Sequence, residues 1–384
     1  MAKPRSIFEE VQGERSSVPT GGGMIDRAPR GSRGAVRIWL AVLFLMVMAM
    51  IVVGGATRLT DSGLSITEWR PVTGALPPMS EAHWQAEFDK YRQIPQYELV
   101  NKGMSLAEFK AIYWWEWGHR QLGRLIGLVW ALGFVVFWAT KRIPPGWTGR
   151  LVWIGALGGL QGAIGWWMVA SGLSGEMVRV ASYRLATHLG LAFVILGYIA
   201  WYVFLLGRSE ADLMQARRGR EGRLFSITTG LMHFAFLQIL LGALVAGIDA
   251  GRAFPTWPDM NGEFFPSNAL YVPDGGAMWR AFFENEGLVQ FLHRMSGYLL
   301  FVFGLVVWNR GRKSPHVATR RAYDWVAVML FGQVVLGIVT VLTAAHLHVA
   351  LTHQIGAVIL WVLILRARHL AQYPVAGSIR KGTA

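Results

Sequence analysis

The chain has 384 residues, of which 53% are hydrophobic and 16% are charged, and its formal net charge is +14. In a soluble protein this basic excess would suggest a nucleic-acid partner, but so apolar a composition indicates a polytopic membrane protein that binds no nucleic acid. The sequence contains no cysteine. Disulfides and thiolate metal sites are therefore excluded, and histidine is left as the main soft metal ligand.

The first 37 residues mix basic and acidic side chains around a run of three glycines and lack an apolar core. This composition is unlike a secretion signal or a transit peptide. We predict that residues 1–37 form a disordered cytoplasmic tail.

Eight apolar runs follow, most of them about as long as a bilayer-spanning helix. They lie near 38–56, 113–139, 151–171, 183–206, 225–248, 288–308, 323–344 and 350–366. The sequence therefore predicts an all-α fold with eight transmembrane helices, closed by a second cytoplasmic tail at 367–384.

The loops between the runs set the orientation. The two tails and the loops after the second, fourth and sixth runs hold 24 of the 37 Lys and Arg residues. The positive-inside rule then places both termini in the cytoplasm. The long loops at 57–112 and 249–287 are expected to be ordered over the outer face, with a short amphipathic surface helix near 80–92.

Three motifs occur once in each half of the chain. They pair His119-Arg120-x-x-Gly123 with His293-Arg294-x-x-Gly297, segment 185–190 with segment 350–356, and segment 160–165 with segment 332–337. We predict two tandem, pseudo-symmetric four-helix bundles, residues 38–206 and 225–366, in the same membrane orientation.

Four histidines, His119, His188, His293 and His353, lie near the outer ends of even-numbered runs. They should share one depth, with two imidazoles facing each other across the core of each bundle. A flat tetrapyrrole whose iron is held by two imidazoles fits such a slot. A single membrane histidine is more often a hydrogen-bonding or cavity residue, but four histidines placed by a repeat favour ligands.

Charged groups beside these histidines differ between the halves. Arg120 and Arg294 could pair with propionates or act only as snorkelling anchors. Glu116 stands one turn before His119, whereas Gln290 stands before His293. A carboxylate near a haem edge can accept a proton or stabilise positive charge. We therefore predict that the N-terminal half is reactive and that the C-terminal half carries electrons, the alternative being that Glu116 merely pairs with Arg120.

The segment 58–78, RLTDSGLSITEWRPVTGALPP, followed by Glu116-x-x-His119-Arg120-x-x-Gly123-Arg124, resembles the haem A synthase family. The similarity is greatest to the branch shared by alphaproteobacteria and mitochondria, and it extends over about residues 38–366. It implies a bacterial inner-membrane enzyme with its haem sites toward the periplasm. Such an enzyme oxidises the C8 methyl group of haem O to the formyl group of haem A, which terminal cytochrome oxidases use.

The resemblance also implies roles for particular residues. They are His293 and His353 as axial ligands of a haem b cofactor beside Arg294; His119 and His188 as ligands of the substrate haem O iron beside Arg120 and Arg124; and Glu116 as the catalytic acidic residue. Some members carry a cysteine pair in the first outer loop. This chain has none, so a thiol relay is not expected here.

The implied reaction removes four electrons, and the chain has no flavin or nicotinamide motif, so haem iron must supply the redox chemistry. The implied partners are the membrane enzyme that makes haem O, an unidentified electron acceptor, oxidase assembly proteins and the bilayer, with homo-oligomerisation left open. One rival interpretation is a di-haem b-type cytochrome that passes electrons from quinol to a partner. Another is a transporter whose histidines bind a divalent metal. The difference between Glu116 and Gln290 favours the enzyme over both.

Overall fold

The computed structural model describes residues 30–175, 177–272 and 275–375, and these fold into helices joined by loops, without a β-sheet. The helices are α1 (Arg30–Leu59), α2 (Glu81–Tyr91), α3 (Pro95–Leu99), α4 (Leu106–Ala139), α5 (Thr148–Ala170), α6 (Ser182–Leu206), α7 (Glu210–Arg218), α8 (Gly222–Gly247), α9 (Ala250–Ala253), α10 (Ala281–Glu284), α11 (Glu286–Gly311), α12 (Val317–Leu342) and α13 (Leu347–Gln372). Within the described ranges, eight helices are long and apolar enough to cross a membrane: α1, α4, α5, α6, α8, α11, α12 and α13. The prediction of an all-α, multi-pass membrane protein is confirmed.

The first helix begins earlier than its apolar run. The predicted tail at 1–37 falls outside the described residues up to position 29, but residues 30–37 are helical. Arg33 explains this extension, because its guanidinium donates to Glu210 and to the carbonyls of Leu205 and Arg208. These contacts hold the start of α1 against the end of α6.

Other helix ends shift for a related reason. α4 begins at Leu106 rather than near 113, because Ser105 and Glu108 form a reciprocal capping box there. α13 continues to Gln372, through the first residues of the predicted second tail. An apolar run marks only the part of a helix that lies in the hydrocarbon core of the bilayer. Polar turns that extend the helix at either end are therefore not predicted from hydropathy.

The membrane helices form two rings of four. In the first ring α1 packs on α4 and α6, and α5 packs on the same two helices. In the second ring α8 packs on α11 and α13, and α12 packs on the same two helices. Both rings thus have the same order of neighbours along the chain, while an internal pseudo-symmetry of the two halves stays a prediction.

The two rings meet through α1 and α6 on one side and α8 and α13 on the other. The Trp361 indole N–H donates to the Phe193 carbonyl across α13 and α6, at 3.1 Å. The amide of Gln354 donates to the Ile51 carbonyl across α13 and α1, at 2.6 Å. The second contact needs the glycine at position 55, since a Cβ there would overlap the Gln354 amide.

A Gly55→Ala substitution is therefore expected to destabilise the junction between the rings by about 1–3 kcal/mol, the usual result of overpacking. The measurement is thermal unfolding of the detergent-purified protein. Gly34→Ala on the same helix is the matched control, because a Cβ at Gly34 meets nothing within 4 Å. Equal unfolding temperatures for the two variants would contradict this account of the junction.

The long loop between α1 and α4, which we name the first outer loop after its predicted orientation, contains the short helices α2 and α3. α2 is the predicted surface helix, and Ser80 caps it by accepting from the His83 N–H. Beneath it lies a small apolar core that includes Trp84, Phe88 and Phe109. This core rests on the extended start of α4 and so fixes the loop above the first ring.

Candidate functional site

The four predicted histidines are brought together in two pairs. His119 on α4 and His188 on α6 lie at opposite corners of the first ring, and each imidazole lies against a glycine of a helix between them. His293 on α11 and His353 on α13 have the same relation in the second ring. All four side chains are half-buried although they stand within the rings. Each ring therefore presents two imidazoles from diagonal helices to its interior.

Each imidazole lies against a glycine on a neighbouring helix. A Cβ added to that glycine would lie 3.1 Å from His119 Nε2 for Gly54, 2.9 Å from His188 Cε1 for Gly165, 3.0 Å from His293 Cε1 for Gly242 and 3.4 Å from His353 Cε1 for Gly337. A Cβ at Gly54, Gly165 or Gly242 would crowd the imidazole, whereas one at Gly337 would be in ordinary contact with it. The glycines thus provide the space that the imidazoles occupy.

Glutamine amides contact three of the four imidazoles. The Gln161 amide nitrogen lies 3.2 Å from His188 Nδ1 and donates to the His188 carbonyl at 3.0 Å. The Gln238 amide nitrogen lies 3.1 Å from His293 Nδ1 and donates to the His293 carbonyl at 2.9 Å. In its hydrogen-bonded orientation, the Gln333 amide nitrogen stands 3.1 Å from Nδ1 and 3.2 Å from the carbonyl of His353.

Glu116 is almost completely buried and fully hydrogen-bonded. Its Oε2 accepts from the Ser65 hydroxyl at 2.8 Å and from the Ile66 N–H at 2.9 Å. Its Oε1 accepts from Nε and Nη2 of Arg120, at 3.1 and 2.6 Å. The ion pair with Arg120 that the alternative interpretation anticipated is thus present. With four donors on its two oxygens, the carboxylate is held as an acceptor.

Gln290 holds the other outer loop in the corresponding way. Its amide nitrogen donates to the carbonyls of Ala250 and Phe254, at 2.8 and 3.3 Å. Its Oε1 accepts from Arg294 Nη2 at 3.0 Å. The loop over the first ring offers donors to this position and the loop over the second offers carbonyls. Glutamate in the first ring therefore accepts from the donors of its loop, and glutamine in the second ring donates to the carbonyls of its loop.

The predicted arginines donate to the same loops. Arg120 donates to the carbonyls of Glu68 and Ile66, and Arg124 donates to those of Pro71 and Arg70. Arg294 donates to the carbonyls of Asp259 and Phe254, while its buried Nε has no hydrogen-bond partner within the described structure. The arginines thus tie both outer loops to the ends of the histidine-bearing helices.

A cavity of about 330 Å³ opens under the first outer loop, lined by Arg120 and Arg124 among others. Lys90 also lines it, and burial alone would lower the pKa of this ammonium group. Its hydrogen bonds to Glu87 and Glu68 outweigh that effect and raise the pKa. The cavity under this loop therefore keeps a protonated lysine.

Sequence reasoning missed two features of this site. Gln238 and Gly242 have the same spacing as the repeated Gln161–Gly165 and Gln333–Gly337 pairs, so the pattern was visible in the fifth run. The Ser65 hydroxyl and the backbone carbonyls under the arginines carry no comparable signal. A hydroxyl or carbonyl is present in every loop, and only its placement gives it a role.

The fold and the site together define a class: an integral membrane protein whose described residues include eight membrane helices, arranged as two four-helix rings with two histidines each on diagonal helices. The model of the COX15-CtaA family, described as cytochrome oxidase assembly protein, matches residues 37–365. The chain belongs to this family.

Curated relatives match over nearly their whole length. A protein named heme A synthase from Paracoccus denitrificans is 67% identical over 380 residues, covering 98% of each chain. One of the same name from Cereibacter sphaeroides is 66% identical over 388 residues, covering 99% of each chain. Another from Ruegeria pomeroyi is 64% identical over 382 residues, covering 99% of this chain and all of the relative.

Proposed function

We propose that the protein is a haem A synthase, an oxidoreductase that converts the C8 methyl group of haem O to the formyl group of haem A for cytochrome oxidase. The observation that carries this function is the 64–67% identity, along the whole chain, to relatives of that name. The family to which the chain belongs points to the same process. No observation favours the alternative of a di-haem cytochrome with no chemistry on the macrocycle.

The side chains in each ring suit a haem. Two imidazoles from opposite corners can approach an iron atom from both faces of a flat macrocycle, as facing helices in bundles do. All four histidines are partly exposed although they stand inside the rings, which agrees with side chains that border a space. The buried Oε1 of Gln161, which has no partner in the described structure, is a spare acceptor beside His188.

In this proposal His293 and His353 hold a resident haem b, and His119 and His188 hold the iron of haem O. The haem iron, when bound, supplies the redox chemistry that amino-acid side chains lack. The protein residues bind and orient the macrocycle. Arg294 Nε, the donor left without a partner, is well suited to a propionate, and Arg120 and Arg124 flank the cavity where a second propionate edge would fit.

Glu116 acts, in this proposal, through its charge at the edge of the substrate haem. Its four donors fix the carboxylate before any substrate arrives. A preorganised charge stabilises positive charge that develops nearby without a reorganisation cost at the moment of reaction. Proton acceptance fits less well, because it would require one of the four hydrogen bonds to break.

The distribution of basic residues supports an orientation with both termini in the cytoplasm and the haem sites toward the periplasmic side of a bacterial inner membrane. The substrate would then come from the membrane enzyme that makes haem O. The product would pass to proteins that assemble cytochrome oxidase, and an electron acceptor would complete the reaction.

The test is chromatography of haems extracted from cells that produce haem O and lack their own haem A synthase. Expression of this chain is expected to yield haem A or its hydroxylated precursor. The His188→Ala variant, produced in equal amount, should yield neither. Unchanged haem O with the wild-type chain, alongside bound haem b, would refute the synthase and leave an electron-transfer cytochrome.

A further inference from the structure

The glutamine contacts follow one rule in three of the four histidines. A Gln-x-x-x-Gly segment on a neighbouring helix places the amide nitrogen within 3.2 Å of Nδ1 and the glycine against the ring; the Gln161 amide also lies 3.4 Å from His188 Nε2. The three segments are Gln161–Gly165 on α5, Gln238–Gly242 on α8 and Gln333–Gly337 on α12. Because each amide also binds the histidine's own carbonyl, it ties the ring to its backbone.

His119 departs from this rule. Gly54 on α1 lies under its ring, but the residue four positions earlier is Met50. Met50 Cε lies 3.4 Å from a Cβ added to Gly123, and Gln238 Nε2 lies 3.1 Å from one added to Gly297, so the two side chains occupy matching places. A thioether is a weak acceptor with no donor, whereas an amide can turn either its NH₂ group or its oxygen toward Nδ1. A histidine that binds iron through Nε2 carries its proton on Nδ1, where the amide oxygen would accept it.

The orientation of the ring reflects this loss. His119 turns Nε2 toward its glycine, whereas Cε1 is the atom nearest the glycine in the other three histidines. The His119 imidazole is thus turned over relative to the rest. It is also the only one of the four without a glutamine contact among the described residues.

We infer that Met50 makes His119 the exchangeable ligand of the four, the one that binds and releases iron as haem enters and leaves the first ring. Partners that fix the second nitrogen of a metal-binding histidine typically change metal affinity by about 10–100-fold. The three glutamines are then positioning residues that would hold His188, His293 and His353 on the iron, with the amide oxygen turned to accept from Nδ1–H. This inference rests on the proposed function, in which the first ring must take up a substrate haem and release a product while the second ring keeps its haem.

The experiment measures the transfer of haem from the full-length, detergent-purified protein to apomyoglobin. The protein is loaded in both rings with iron protoporphyrin IX, and transfer is followed by absorbance. We expect a fast phase from the first ring and a slow phase from the second, assigned by the loss of the fast phase in His119→Ala. Met50→Gln should slow the fast phase about tenfold or more and leave the slow phase unchanged.

Two further variants make the test reciprocal. Gln238→Met should accelerate the slow phase by a similar factor, and Met50→Leu, which has similar bulk but no amide, should behave as wild type. An unchanged fast phase in Met50→Gln, or an unchanged slow phase in Gln238→Met, would overturn the inference while leaving the haem sites intact. Failure of the second ring to bind haem, or of the first ring to bind haem O offered in the same loading, would instead contradict the proposed function and, with it, this inference.

Discussion

Glu116→Gln is expected to reduce haem A formation by about a hundredfold or more while the protein keeps its fold and its haem b. A single preorganised group at the point where charge develops is typically worth 10²–10³ in rate. The amide keeps the shape of the side chain but removes its charge. It also turns an N–H₂ group toward donors, either Arg120 or the Ser65–Ile66 pair. The measurement is the ratio of haem A to haem O in extracted haems, normalised to the amount of purified protein.

Ser65→Ala is the matched control, because it removes one hydrogen bond from the carboxylate and leaves the charge in place. One hydrogen bond corresponds to about 0.5–1.5 kcal/mol, so turnover should fall by tenfold or less. If Glu116 only fastened the outer loop, the two variants would behave alike. Full turnover in Glu116→Gln would show that the carboxylate has no part in the reaction.

His293→Ala and His353→Ala are each expected to remove the resident haem b, since the second ring offers only this pair of facing imidazoles within the described residues. Loss of one axial ligand leaves an iron held from a single face and a gap beside a glycine. The measurement is haem b per mole of purified protein by the pyridine haemochrome spectrum, expected to fall from near one to near zero. Imidazole added to the buffer should restore part of it by filling the gap.

His233→Ala is the control for this pair of variants. His233 lies on α8, on the exposed face of the helix, where its Nδ1 is 2.8 Å from the Thr229 carbonyl. Its loss should leave the haem content unchanged. Retention of haem b in both His293→Ala and His353→Ala would place the cofactor elsewhere in the protein.

The sequence was sufficient for the number and type of the membrane helices, because hydrocarbon thickness imposes a run length that side-chain hydropathy reveals. It also predicted which histidines share a ring, because α4 and α6 belong to the first ring and α11 and α13 to the second. The predicted starts of α1 and α4 were less accurate, since these helices begin at Arg30 and Leu106. There the helices continue on capping and ion-pair contacts that have no apolar signature.

The arginines show why the hydrogen-bond partners within the site could not be predicted from the sequence. Their position beside the histidines suggested propionates, yet the N–H groups of Arg120, Arg124 and Arg294 mostly meet loop carbonyls. Carbonyls occur at every residue, so the sequence cannot tell which ones a folded loop presents. For the same reason the sequence could not predict the four hydrogen bonds that Glu116 accepts, two of which come from Ser65 and Ile66 in the loop.

The junction between the rings has a consequence for how the chain arose. α6 touches α13, which holds the corresponding place in the other ring, and the contact of α1 with α13 is mirrored by that of α8 with α6. Reciprocal contacts of this kind are isologous, the kind that builds twofold homodimers. If the predicted repeat is a gene duplication, this junction is the surface through which two four-helix copies paired before their genes were joined. Each copy was then free to change alone, which accounts for glutamate and methionine in the first ring where the second has glutamine at both places.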